Sequence, residues 1–237
     1  MSDSLIIIPT YNEKENIGKM LKTLMSLPFA FDVLIIDDNS KDGTAAIVKD
    51  YIQQFPNRIF IEERSGKLGL GTAYIHGFKW ALKKEYEYIF EMDADFSHNP
   101  NDLMRLRDAC VDGNADMSIG SRYITGVNVV NWPMGRVMMS YFASMYVRII
   151  TGMDIRDTTA GFKCYTLRAL SAVNLDVIHF KGYAFQICMK YAIIKHKYVI
   201  KEVPITFKDR LYGDSKMSSG IFKEALFGVW KMRKMKL

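Results

Sequence analysis

Two aspartates one residue apart, Asp93 and Asp95, follow the apolar run at 88–92. Carboxylates that close repel each other unless a cation or a hydrogen-bond array neutralises them. Mg2+ or Mn2+ does this well, because such ions bind hard oxygens, use one or two carboxylates, and complete the shell with water and phosphate oxygens. Asp93 and Asp95 are therefore candidate metal ligands, and a nucleotide diphosphate would supply the missing oxygens. His98, three residues on, reads either as a further ligand or as an ordinary loop histidine.

Three more polar clusters follow apolar runs: Pro9-Thr10-Tyr11-Asn12-Glu13, Asp37-Asp38-Asn39-Ser40 and Gly120-Ser121-Arg122. Open α/β sheets bind ligands beyond the carboxyl ends of their strands, so four such clusters point to one shared edge. Any single cluster has the alternative reading of a polar strand end or a helix cap, a reading that does not extend to all four together. Arg122, Arg136, Arg210 and Lys216 are cations in loops or at element starts, where guanidinium forks suit phosphate oxygens. The segment from Arg210 to Lys216 combines a turn with two cations and reads as a clamp over an anion. Lys67-Leu68-Gly69-Leu70-Gly71 matches neither dinucleotide-binding nor P-loop spacing, so a turn or tight packing is expected there.

To position these clusters, short β-branched runs must alternate with helix-period segments, and the first half of the chain does so. Strands are predicted at 5–9, 33–37, 59–63, 88–92 and 117–120, with helices at 15–27, 43–55, 72–84 and from Pro100 onward. Beyond Arg122 the spacing predicts helices at 137–151, 182–196 and 220–236 and an edge strand at 198–203. The expected fold is α/β, a mostly parallel central sheet flanked by helices.

The chain has 237 residues, of which 49% are hydrophobic and 24% charged, enough apolar side chain for a true core and inconsistent with wholesale disorder. Its net charge of +6 suggests an anionic partner: nucleic acid, lipid or a phosphorylated substrate. Paired carboxylates and the lack of an aromatic-basic strand stripe argue against nucleic acid. Three cysteines without a CxxC pair argue against a disulfide framework or a cysteine zinc site and suit a reducing compartment. Neither a secretory leader nor a membrane-spanning run is evident in the sequence.

Longer blocks carry a resemblance. Ile8-Pro9-Thr10-Tyr11-Asn12-Glu13, the stretch from Ile36 to Thr44, that from Leu68 to Gly77, and Met92 to His98 match in turn. So do Gly120 to Tyr123, Gly182 to Gln186, and Glu202 through Lys216. Together they resemble the dolichol-phosphate (polyprenol-phosphate) mannose synthases, family-two glycosyltransferases with a GT-A nucleotide-diphospho-sugar transferase fold. The likeness runs from about Leu5 to Ser219 and implies a catalytic domain at 1–219, followed by a basic amphipathic helix at 220–237.

The resemblance implies that Pro9, Tyr11, Glu13, Ile36 and Asp38 hold the guanosine end of GDP-mannose. Asp93, Ala94 and Asp95 would lie at the diphosphate, Asp95 being the main ligand of Mg2+ or Mn2+. Arg122, Arg210 and Lys216 would contact phosphates, with Arg136 a second grip on the lipid phosphate; Asp95, Arg122 and Arg136 are then the catalytic set. The implied reaction is inverting transfer of mannose from GDP-mannose to a polyprenyl (dolichyl) monophosphate. Transfer to a hydroxyl normally needs a general base, yet the acidic pair that family-two enzymes often carry is replaced here by Asp157-Thr158-Thr159-Ala160. A phosphate monoester, with a second pKa of about 6, is already a nucleophile near neutrality, so Asp157 reads as structural. Two departures stand out: Ser97 where many relatives have glutamine, and Cys188 where they commonly have glutamate. A UDP-glucose-type donor and a catalytically silent relative remain alternatives.

A polyprenyl acceptor lies in a bilayer. Helices at 137–151 and 220–237 combine apolar residues with arginine and lysine, a composition that suits either core packing or an anionic lipid surface. The resemblance implies a peripheral protein on the cytoplasmic face of a membrane, some relatives relying on small membrane-anchoring subunits.

Overall fold

The computed structural model describes residues 2–209 and 219–237. Its elements in chain order are β1 (Ser4–Thr10), α1 (Lys14–Met25), β2 (Asp32–Asp37), α2 (Thr44–Gln54), β3 (Ile59–Glu63), α3 (Leu70–Ala81), β4 (Tyr88–Glu91) and α4 (Asp102–Val111). There follow β5 (Met117–Ser121), β6 (Val129–Val130), α5 (Met134–Thr151), β7 (Lys163–Thr166), α6 (Leu167–Ala172), α7 (Tyr183–Lys195), β8 (Ile200–Pro204), β9 (Phe207–Lys208) and α8 (Ser219–Met232).

Seven strands form one sheet in the order β3-β2-β1-β4-β7-β5-β8, all parallel to their neighbours except β7, which runs against both β4 and β5. β1 and β2 are buried on both faces, which is why their sequences are near-continuous apolar runs rather than alternating ones. One apolar layer, with Ile7, Leu34, Phe78 and Phe185, lies on one face; a second, with Ile6, Ile8, Leu21 and Leu106, lies on the other. The expected α/β architecture is therefore observed, with β8 at the edge.

The central strand β7 is a departure from the sequence reading. Its four residues, KCYT, lack a β-branched run and carry a lysine, so no local pattern marks them. Tertiary partners make it a strand: Lys163 Nζ donates to Glu91 on β4 at 2.9 Å and to Gln186 on α7, with all three side chains buried. β6, β9 and α6 were likewise unforeseen; β6 and β9 form a separate two-stranded parallel ribbon. The helix expected at 72–84 begins at Leu70, because Gly69, at φ +108°, supplies the turn and frees the next residues to start it.

The glycine-rich segment is a packing device. Gly71 N–H donates to Lys181 O at 2.9 Å, and a Cβ at Gly71 would run into the Phe180 carbonyl oxygen and lie 2.8 Å from Phe185 Cβ. Backbone atoms cannot move aside, so Gly71→Ala is expected to destabilise the protein by about 3 kcal/mol, at the upper end of overpacking effects. Urea unfolding of the variant measures this; an unchanged midpoint would remove the packing role.

Candidate active site

The carboxyl ends of β1, β2, β4 and β5 lie on the same edge of the sheet, as parallel neighbours or through β7, and each carries one of the polar clusters. The β1 and β2 loops are fastened together. Asn12 N–H donates to Ser40 Oγ, Glu13 N–H to Thr44 Oγ1, and Thr10 Oγ1 to Asp37, all between 2.8 and 2.9 Å. Asn12 and Asn39 take positive φ to make these turns.

The residues expected at the nucleoside fall around this junction with differing exposure. Pro9, Tyr11 and Glu13 are partly exposed, Lys67 Nζ lies 4.7 Å above the Tyr11 ring, and the Glu13 carboxylate accepts from Asn16 Nδ2. Ile36 has no exposed surface and packs in the core beside Leu34, so its side chain is not on the surface of the site. Asp38 is buried in an ion pair with Arg64, whose Nε donates at 2.6 Å, and also accepts from Leu68 N–H at 3.1 Å. Arg64, absent from the sequence expectations, also donates to Thr72 Oγ1. It thereby ties the glycine-rich loop to the end of β2.

Asp93, Ala94 and Asp95 form the turn after β4; Asp93 is partly exposed, and Ala94 and Asp95 are buried. Asp95 Oδ1 accepts from Ser97 N–H at 3.1 Å, and Asp93 N–H donates to His98 Nδ1 at 3.2 Å. His98 therefore acts as a turn-holding acceptor rather than presenting Nδ1 to a metal. Its ring stacks on Phe162 with centroids 4.8 Å apart, and burial, partly opposed by Asp95, lowers its pKa to about 4. Ser97 Oγ is buried without a partner among the described residues. Two carboxylates beside an unsatisfied hydroxyl oxygen form a hard-oxygen donor set, which fits Mg2+ or Mn2+ with water or phosphate completing the shell.

Arg122, at the end of β5, is not a solvated surface cation. Its Nε and Nη2 donate to Asp157 Oδ2 and Oδ1 at 2.7 and 2.6 Å, its own N–H donates to Oδ2 at 3.0 Å, and Nη2 reaches Thr159 Oγ1. Burial alone would lift the Asp157 pKa, but the Arg122 guanidinium overcomes it and holds the carboxyl below its ordinary value. Asp157 is thus held in an ion pair and is a poor proton acceptor. The loop behind it is anchored by Lys190, fully buried on α7, whose Nζ donates to the carbonyls of Thr158 and Ala160 at 3.0 and 2.7 Å. Burial lowers the Lys190 pKa well below its ordinary value.

Arg136, in the first turn of α5, pairs with Asp209 at 3.1 Å and lies 4.0 Å from the centroid of Trp132. Arg122 and Arg136 both border a cavity of about 330 Å³ whose wall continues through Phe142, Tyr146, Ile187 and Leu226. Tyr183, at the start of α7, also borders it and stands within electrostatic reach of Arg122, Arg136 and Asp93. Both arginines and Asp93 thus lie within electrostatic reach of one tyrosine. Arg210 and Lys216 lie outside the described residues. Trp132 and Tyr183, which line the cavity, and Lys190, which braces the loop behind it, were not among the expected site residues; Tyr183 alone had a sequence signal, the Gly182 to Gln186 block.

The profile of Glycosyl transferase family 2 matches residues 5–175. The chain belongs to that family. It is 42% identical over 232 residues to a polyprenol monophosphomannose synthase of Mycolicibacterium smegmatis, covering 97% of this chain and 87% of the relative. It is 44% identical over 225 residues to an undecaprenyl-phosphate mannosyltransferase of Micrococcus luteus, covering 95% and 91%. Among solved structures, the glucosyl-3-phosphoglycerate synthase of Mycobacterium tuberculosis in complex with Mn2+, UDP and phosphoglyceric acid superposes with a TM-score of 0.72 at 12% identity, over 99% of this chain and 79% of that one. TarS of S. aureus in complex with UDP-GlcNAc gives 0.67 at 20% identity, over 100% and 68%. At these identities the likeness is one of fold, and it is the GT-A fold expected from the sequence. The protein is a glycosyltransferase.

Proposed function

We propose that this glycosyltransferase moves mannose from GDP-mannose to the phosphate of a polyprenyl monophosphate, with inversion at the anomeric carbon. The observation that carries the reading is the cavity: an apolar wall for an isoprenoid chain, bordered by Arg122 and Arg136 where an anionic headgroup would stop. The names of the two relatives favour the same acceptor and sugar. In this reading the β1 and β2 loops hold the nucleoside, and Asp93 and Asp95 hold Mg2+ or Mn2+, which when bound would neutralise charge on the departing diphosphate. Arg122 and Arg136 orient the acceptor phosphate and offset its repulsion from the donor. Asp157, held ionised and already bonded to Arg122, takes no proton; an acceptor phosphate near neutrality needs none removed.

The outer surface supports a membrane-borne acceptor. Among the described residues no helix is long and apolar enough to cross a membrane. α5 instead turns its apolar side outward, with Ile149 76% exposed and Tyr141 and Phe142 both 51%. α8 extends that face with Phe227, 70% exposed, and Trp230, whose Nε1 donates to Tyr146 on α5 at 3.0 Å. Lys231, Arg233, Lys234 and Lys236 adjoin it, all exposed. An apolar face next to a cationic one is the composition of an interfacial helix. In this reading 1–219 carries catalysis, while 220–237 and α5 rest peripherally on the cytoplasmic face of a membrane.

The test is incubation with radiolabelled GDP-mannose, a short polyprenyl phosphate and Mg2+ or Mn2+, which should yield an organic-soluble mannosyl lipid. Stronger inhibition by UDP than by GDP would overturn the donor assignment. For docking, Ile149→Ser/Phe227→Ser is expected to bind phosphatidylglycerol vesicles at least about tenfold more weakly, since each change removes an apolar side chain from the interface. Undiminished co-sedimentation would remove α5 and α8 from the membrane.

A further inference from the structure

Trp132 sits where the two arginines meet. The Arg136 and Arg122 guanidinium carbons lie 4.0 and 5.3 Å from its ring centroid, and Phe207 meets it edge-on at 5.3 Å. Pro133, the N-cap of α5, follows directly and fixes the chain entering the helix. Trp132 borders the apolar cavity, and its Nε1 is buried without a hydrogen-bond partner among the described residues. A buried N–H with no acceptor is a standing penalty, and native proteins rarely keep one without a use. Two cations and aromatic rings flank it, none of which accepts a hydrogen bond well, and the carboxylates of Asp157 and Asp209 are engaged by Arg122 and Arg136. A ligand oxygen carrying negative charge would be favoured by both guanidiniums and would also satisfy the indole.

We propose that Trp132 is an acceptor-binding residue: its indole N–H donates to a phosphate-monoester oxygen of the prenyl acceptor, while its ring face holds Arg136 in place by a cation–π contact. The proposal rests on the reading of the cavity as the acceptor site and adds a third headgroup contact of a different kind. Arginine attracts any phosphate by charge. A fixed N–H adds direction, so the headgroup is held in one orientation at the mouth of the apolar cavity.

Trp132→Phe keeps an aromatic face for Arg136 and removes only the donor. It is expected to raise the acceptor KM about tenfold, the loss typical of one hydrogen bond to a charged group, while the KM for GDP-mannose stays unchanged. Trp132→Leu removes the ring face as well and should lower kcat in addition. A purely structural tryptophan would predict the reverse pattern, with thermal stability falling and both KM values moving together.

Direct observation does not depend on a variant's activity. The 15N–1H indole resonance of Trp132, assigned by its loss in Trp132→Phe, should move downfield when wild-type protein is titrated with farnesyl phosphate, as a donor does on gaining a charged acceptor. Farnesol should leave it in place, and inorganic phosphate should reproduce the shift only at far higher concentration. A shift with GDP-mannose alone and none with farnesyl phosphate overturns the proposal, as does equal affinity for inorganic phosphate. If the wild-type protein transfers no mannose yet the farnesyl phosphate shift appears, the donor reading fails and the role of Trp132 stands.

Discussion

Asp95→Ala is expected to lower mannosyl transfer at least about a thousandfold, because it removes a carboxylate from the turn that would hold the divalent ion beside the leaving diphosphate. Several kcal/mol of charge stabilisation are at stake in such a site, and each 1.36 kcal/mol is a factor of about ten in rate. The same change also removes the acceptor of the Ser97 N–H bond, worth about 1 kcal/mol of stability. That loss is too small to unfold a domain, so circular dichroism should show an intact fold. Chelation should abolish wild-type activity and added Mg2+ or Mn2+ restore it, whereas the variant should respond to neither. Metal-dependent transfer surviving in Asp95→Ala would place the ion elsewhere. His98 gives an internal comparison. Because it acts on the turn through the Asp93 N–H, replacing it should weaken transfer far less than losing the carboxylate itself.

What the sequence made legible followed from locality. The runs that became β1 and β2 are apolar along their whole length because both faces are covered, and that pattern survives in a single sequence. The Asp93 and Asp95 pair was visible because its chemistry lies within three residues. The arginines were visible as cations, but their surroundings were not. Arg122 is tied to a carboxylate 35 residues away, and Lys163 becomes part of a strand through Glu91, 72 residues away. A lysine in a short segment reads as exposed unless its partner is known, which hid β7 and with it the antiparallel step in the sheet. Trp132 was silent for the same reason: an indole N–H without an acceptor is a property of packing, not of spacing. The helices α5 and α8 had two consistent readings in sequence, core packing or a lipid surface, and their exposed apolar side chains support the second while Val229 and Met232 of α8 pack in the core. Ile149 and Phe227 point away from the core, so most of the apolar side of α5 was never interior.

The Arg122 and Asp157 pair allows stability and catalysis to be separated. Both side chains are buried, so Arg122→Gln leaves an unpaired carboxylate and should cost about 3–5 kcal/mol in urea unfolding. Asp157→Asn leaves an unpaired guanidinium and should cost a similar amount. The double variant removes both charges and keeps an amide oxygen to accept the Arg122-position N–H. It should regain much of the loss, so that its cost falls below that of either single variant and the two losses are strongly non-additive. Since the Asp157 pKa is lowered on folding, its contribution is fully present above its ordinary value of 3.8. It is lost as pH falls through the lower folded-state value, so wild-type and Asp157→Asn stabilities should converge in strong acid. Activity should divide along another line. Arg122→Gln and the double variant both lack the guanidinium proposed to meet the acceptor phosphate, and both should lose at least about a hundredfold in kcat/KM for the prenyl phosphate. Asp157→Asn keeps that guanidinium and should retain much more. If the double variant recovers activity together with stability, Arg122 is a structural cation only, and the acceptor phosphate must be held by Arg136 without it.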